Sequence, residues 1–218
     1  EMLRSLVGSE MCIRDRSVIK FKGFLVSKIV VVDNASTDGS ERFLDNDKEV
    51  TLIRARENLG FGKACNLGAS RCKGEFILFL NPDTQLREGT LSKVQSFMHE
   101  KENEKVGICS VQLYDGKGQV SRSCSRAPSA GAYLAHAIGL TKIFPSFGHA
   151  MMEWDHSSTR IVDQVIGAFF FVRRNVYLSL DGFDERFFVY YDEVDFTYRA
   201  SNEGWYSAYF CGAEAFHL

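Results

Sequence analysis

Hydrophobic and polar positions alternate in blocks along most of the chain. "SKIVVVDN" (27–34), "VTLIRA" (50–55), "EFILFL" (75–80) and "VGICSVQ" (106–112) are short β-branched or aromatic runs. Runs of that length with no polar alternation predict strands buried on both faces of a sheet. Between them lie stretches of helical character. "STDGSERFLDN" opens on Ser, Thr and Asp with an acidic first turn and predicts a short helix. "NLGFGKACNLGASRC" (58–72) is a glycine-punctuated loop entering a helix, and "EGTLSKVQSFMHEKEN" (88–103) carries Leu91, Val94 and Met98 at helical spacing. "DGKG" (115–118) marks a tight turn. Further on, "QVIGAFFFVRR" (164–174) reads as a strand, "NVYLSLDG" as a helix stopped by Gly182, "YDEVDFTYRASNEGW" (191–205) as a helix, and "YSAYFCGAEAFHL" as strand again. Strands separated by helices predict an α/β fold with a mostly parallel, Rossmann-like sheet.

Two segments break this rhythm. Ser125–Arg160 is rich in small and aromatic residues and nearly free of charge between Arg126 and Glu153. Its "SAGAYLAHAIGLTKIF" predicts an apolar helix, and core packing outweighs contact with a membrane or a partner, because single apolar segments are usually buried. At the start, "EMLRSLVGSEMCIRDR" has neither a helical nor an alternating period and lacks the sustained apolar stretch of a signal peptide. It reads as translated adapter sequence joined to a broken frame. Residues 1–16 are therefore treated as a non-native extension, with 17–218 as one incomplete domain.

Composition narrows the function. With 45% hydrophobic and 25% charged residues and a net charge of −2, the chain lacks the basic footprint of a nucleic-acid binder. Its six cysteines form no C-x-x-C pair and no zinc spacing, which points to reduced thiols in a cytoplasmic protein.

The chemistry gathers at predicted strand ends, where ligands bind in open α/β sheets. In "NPDT" Asp83 leaves a buried strand, and Pro82 stiffens the loop that presents it. A carboxylate there either closes a local turn or, with Mg²⁺ or Mn²⁺, holds a diphosphate. Asp33 and Asn34 end another strand, where Asp33 can accept from a nucleobase or ribose, whereas Asp38 suits helix capping. Asn58, Gly60 and Gly62 form a loop whose backbone can approach a flat ring or a phosphate. The glycine spacing matches neither the dinucleotide fingerprint nor the P-loop, which weighs against an oxidoreductase. Asp195 and Arg199 are four apart and suited to pair along a helix.

In this order, "VVVDNASTDGS", "ENLGFGKACNLG", "FLNPDT", "VIGAFFFVRR", "GFDERFFVYYDEVDFTYRASNEGW" and "FHL" resemble the inverting nucleotide-sugar glycosyltransferases of family two, of GT-A fold. The closest likeness is to the rhamnosyltransferase-like branch of bacterial surface-polysaccharide synthesis. The resemblance implies that Asp33 and Asn34 meet the nucleoside, while Asn58 and the Gly60–Gly62 turn close over it. It implies that Asn81 and Asp83 stand at the metal motif, with Asp83 binding a divalent cation and His217 supplying a second ligand. Gly167 and Ala168 would flank the donor sugar, with Arg173 and Arg174 meeting phosphate or standing in solvent. The acidic pair would supply the general base, Glu193 first and Asp192 second. The implied partners are a nucleotide-sugar donor, with dTDP-rhamnose a candidate in this branch, and a saccharide or lipid-linked saccharide acceptor, with no nucleic acid. A peripheral contact with the inner face of the cell membrane is compatible with these partners. The alternative is a noncatalytic nucleotide- or sugar-binding module on the same fold.

Family members open with an apolar strand beside the "VVVDN" strand, and none is visible ahead of "SVIKFKGFLVSK", which reads as the end of the following helix. The expectation is a sheet lacking its first strand, in a fragment truncated at both ends that is poorly folded and inactive.

Overall fold

The computed structural model describes residues 2–6, 16–21, 25–149, 151 and 153–217. In chain order the elements that position the site begin with β1 (Met2–Leu6), α1 (Arg16–Phe21), β2 (Ile29–Asp33) and β3 (Val50–Arg54). Then come α2 (Phe61–Ala69), β4 (Phe76–Leu80), β5 (Thr84–Leu86), α3 (Thr90–His99) and β6 (Val106–Tyr114). β7 (Cys124–Ser125), α4 (Ala130–Ala137), β8 (Arg160–Val162), β9 (Gln164–Val165) and β10 (Phe169–Arg173) follow. The described chain closes with α5 (Arg174–Ser179), α6 (Asp192–Asn202) and β11 (Tyr206–His217).

One mixed sheet runs in the order β3-β2-β1-β4-β10-β6-β11-β5, with β8 on β11. β10 is antiparallel to β4 and β6, β5 and β8 are antiparallel to β11, and the remaining pairings are parallel. All five residues of β2 and of β4 are buried. Alternate residues of β4 serve two cores. Phe76, Leu78 and Leu80 pack with Leu91, Val94 and Met98 of α3, whereas Ile77 and Phe79 pack with Cys65 of α2, Tyr177 of α5 and Phe196 of α6. A sheet covered by helices on both faces demands such unbroken apolar strands.

The missing first strand is corrected here. Met2–Leu6 occupies the slot between β2 and β4, parallel to both, in register from Met2 opposite Ile29 to Leu6 opposite Asp33. Two flanking ladders satisfy the backbone of any extended segment in that slot. Arg4 and Ser5 interrupt the apolar run and hid the strand from pattern reading.

Three further expectations change. The segment after β2 forms only a 3₁₀ turn (Ser40–Leu44), entered through Gly39 in the left-handed region, with the Ser40 N–H bonded to Asp38 Oδ1 at 3.0 Å. The strand expected over 164–174 divides, because Ile166 N–H donates to Ser123 O and holds β9 against β7 in a separate ladder. The chain then crosses through Gly167 and Ala168 into the main sheet. Finally, the apolar α4 segment is exposed rather than core.

Candidate functional site

Parallel strands β1 to β4 bring their carboxyl ends to one edge, and the site is built there. At the end of β2, Asp33 and Asn34 are both buried. Asp33 Oδ1 accepts from the Ser36 N–H at 3.0 Å, a local turn that fixes the carboxylate. Asn34 braces the next loop. Its Nδ2 donates to Asn58 Oδ1 at 2.9 Å and to Gly60 O at 3.2 Å, and its Oδ1 accepts from the Leu59 N–H at 2.8 Å. Those bonds commit the Asn34 amide to shaping the loop rather than to a ligand.

The glycines of that loop permit a close approach, but to protein. Gly60 has φ +79°, and a Cβ there would fall 2.3 Å from Phe188 O, which accepts from the Phe61 N–H at 2.9 Å. A Cβ on Gly62 would fall 2.5 Å from Asp192 Oδ1. The start of α2 is thus clamped against the chain that leads into α6. On the side a Cβ would take, Gly60 and Gly62 meet Phe188 and Asp192, where the approach of a flat ring or a phosphate was expected.

At the end of β4, the Asn81 N–H donates to Ala168 O at 3.1 Å, and Thr84 Oγ1 donates to the same oxygen at 3.1 Å. This carbonyl pins the Asn81–Pro82–Asp83 loop to the Gly167–Ala168 crossing. Thr84 then pairs with His217 in the antiparallel β5–β11 ladder, so the imidazole arrives beside the preceding carboxylate. His217 Nε2 lies 3.3 Å from Asp83 Oδ1, with both side chains partly exposed. A carboxylate oxygen and an imidazole nitrogen side by side suit a divalent cation that keeps other positions for phosphate or water. Among the described residues, no group of three or more His, Cys, Asp or Glu side chains gathers as a metal cage. The donor set fits a cation shared with a substrate rather than one caged by protein.

The two members of the acidic pair differ in exposure. Tyr190 and Tyr191, at φ +64° and +68°, make a left-handed turn into α6, a costly conformation for residues with a Cβ. Asp192 then turns inward. It is 1% exposed, and among the described residues neither oxygen has a hydrogen-bond partner of normal geometry. Burial pushes its pKa up to about 6, with the Glu193 and Asp195 charges adding and the backbone N–H groups of Asp192 and Gly62 opposing. Glu193 is partly exposed, and burial raises its pKa against the backbone N–H groups of Glu193 and Gly167. The Gly167–Ala168 crossing therefore touches both halves of the site, the Asp83 loop through Ala168 O and Glu193 through the Gly167 N–H.

Other expected residues resolve as structural. Asp195 accepts from Arg199 Nε at 2.7 Å, and Arg199 also donates to Leu180 O and Gly182 O. The phosphate role of Arg173 and Arg174 is overturned. Arg173 donates to the carbonyls of Val106, Met98 and Asn103, and Arg174 donates to Cys72 O. Arg173 pairs with Phe76 at the start of β4, the edge opposite Asp83. Thr84 and the Tyr190–Tyr191 turn were missed. The only signal for the turn was an aromatic run with no glycine ahead of the acidic pair. Cys65, Cys109, Cys124 and Cys211 are free thiols, and Cys72 Sγ donates to Gly68 O. No helix among the described residues is long and apolar enough to cross a membrane.

With this geometry in place, comparison with known proteins is direct. The family described as Glycosyl transferase family 2 matches residues 16–160. An N-acetylglucosaminyl-diphospho-decaprenol L-rhamnosyltransferase of Mycobacterium tuberculosis is 28% identical over an alignment of 207 residues that covers 87% of this chain and 66% of that protein. Rhamnosyltransferase WbbL of Escherichia coli K12 is 26% identical over 66% of this chain and 55% of its own length. The chain thus spans just under two thirds of one relative and about half of the other. Among solved structures, GalNAc-T7 with UDP, GalNAc and Mn2+ superposes with a TM-score of 0.71 at 13% identity, covering 99% of this chain and 42% of that one. That likeness shows the fold, the GT-A arrangement expected from the sequence.

Proposed function

Since the chain belongs to glycosyl transferase family 2, we propose that it transfers a sugar from a nucleoside-diphosphate sugar to an acceptor hydroxyl with inversion, in the synthesis of a surface polysaccharide. The observation that carries this reading is the 3.3 Å pairing of His217 with Asp83, on a loop tied through Ala168 O to the crossing that supports Glu193. Asp33 and the loop of Asn58 would orient the nucleoside, and Asp83 and His217 would hold a divalent cation against the diphosphate. Such a cation neutralises charge on a diphosphate leaving group.

Glu193 would accept the proton of the acceptor hydroxyl as it attacks the anomeric carbon. Its raised pKa brings it nearer the working pH, as a general base requires. Asp192, buried and without access to an acceptor, would position α6 instead. Mn2+ beside UDP in the GalNAc-T7 structure supports a divalent metal, and the two rhamnosyltransferase relatives support dTDP-rhamnose as the first donor to try. The decaprenol-linked name of the mycobacterial relative supports a lipid-linked saccharide acceptor. We place the reaction in the cytoplasm.

The test is a panel of nucleotide sugars offered to the purified protein with and without chelator. Consumption of one donor, lost on chelation and restored by Mn2+ or Mg2+, is the expected result. Chelator-indifferent turnover overturns the role given to Asp83 and His217, and nucleotide binding without donor consumption favours a binding module.

A further inference from the structure

The excursion between β7 and β8 exposes apolar side chains that the core leaves unused. Tyr133, Leu134, Ile138, Ile143, Phe144 and Phe147 are between 51% and 72% exposed. Tyr133 and Leu134 lie on α4, and Ile138 caps its end. Ile143 and Phe144 join the two 3₁₀ turns that follow, Leu140–Lys142 and Pro145–Phe147, the second of which carries Phe147. Single exposed apolar residues need no explanation, but a contiguous group of this size marks an interaction surface.

Charge identifies the partner. Residues 127–152 contain no Asp or Glu, although a chain with 28 acidic residues in 218 would place about three there. The charge they do carry is basic, Lys142, and it is exposed, as is His136. A surface of aromatic and aliphatic side chains with a lysine and no carboxylate meets an anionic bilayer without repulsion. Aromatic rings and lysines are the side chains that settle at the headgroup level.

The surface is rooted beside the site. The Arg126 N–H donates to His149 O at 2.9 Å and closes the base of the excursion. β7 pairs with β9, and β9 runs through Ile166 straight into Gly167. We propose that α4 and its two 3₁₀ turns form a membrane-docking surface that seats the protein on anionic phospholipid, with the Gly167–Ala168 crossing close to its root. Under the transferase reading, a lipid-linked acceptor would then be delivered at that crossing. The docking itself does not depend on that chemistry.

Flotation with vesicles tests it, using phosphatidylcholine alone and phosphatidylcholine mixed with phosphatidylglycerol. The protein is expected to float with the mixed vesicles and to bind less as salt rises. An Ile138→Asp/Ile143→Asp variant removes two exposed side chains and should keep its circular dichroism spectrum while binding falls about tenfold or more. Lys142→Glu should weaken binding to the mixed vesicles alone. Absence of flotation, equal binding to both compositions, or unchanged binding by the double variant overturns the proposal. So does a dimer in light scattering that the same substitutions dissolve, because the surface would then belong to a second copy. No transfer is measured, so a negative result leaves the transferase reading standing.

Discussion

Gly62 and Asp192 share one space: a Cβ on Gly62 would stand 2.5 Å from Asp192 Oδ1 and 3.2 Å from Phe183 Cβ. Both neighbours are buried, so neither can swing into solvent. Gly62→Ala must therefore push α2 away from α6. The expected cost is about 1–3 kcal/mol of stability, read as a lower denaturant midpoint. A midpoint equal to the parent's would show that the two helices are not clamped here.

Asp192 makes stability depend on pH in an unusual direction. Its folded carboxyl holds a proton up to about pH 6, whereas the ordinary value is 3.8. Between those values the folded chain binds more protons than the unfolded one, so stability falls as pH rises through the window and levels off above it. At neutral pH the penalty is about 3 kcal/mol at most, because each tenfold change in proton affinity is worth roughly 1.4 kcal/mol. Asp192→Asn should flatten that stretch of the profile and raise the denaturant midpoint at neutral pH. Parallel profiles for the two proteins would assign the slope to other groups.

The strands and most helices were legible because burial on both faces leaves unbroken apolar runs, as in "FILFL" and "VVVD". β1 was not, since its place is fixed by two neighbouring backbones and "MLRSL" carries no such run. The site residues were legible as motifs, yet their mutual support was not. That Ala168 O gathers Asn81 and Thr84, and that Asn34 spends its amide on the loop of Asn58 and Gly60, are facts of folded geometry. The exposure of α4 was misjudged for a related reason. Hydrophobicity states what a segment would bury, while topology decides whether anything is there to cover it.

Asp83 and His217 can be tested without following a reaction. If they share a cation with a diphosphate, nucleoside diphosphate should bind more tightly with Mn2+ than with chelator. Asp83→Asn should erase most of that difference, and His217→Ala part of it. Loss of one ligand is expected to weaken metal-dependent binding about 10–100-fold, the scale on which even supporting groups around metals act. Calorimetric titration of the nucleotide with and without metal checks this. A metal effect that survives in both variants would move the cation elsewhere.

Glu193 and Asp192 are adjacent, and their surroundings differ. Glu193 is partly exposed and meets the Gly167 N–H, whereas Asp192 is sealed against Gly62. Glu193→Gln keeps size and polarity but cannot take a proton, so turnover should fall about 10²–10⁴-fold while nucleotide affinity holds. Asp192→Asn should leave far more activity. In the parent the rate should rise with pH as Glu193 loses its proton, with a midpoint above the ordinary glutamate value because burial favours the neutral form. The residual rate of the Gln variant should lack that rise. If Asp192→Asn proves the more damaging change and Glu193→Gln turns over normally, the base is the buried member of the pair, and α6 must move to expose it.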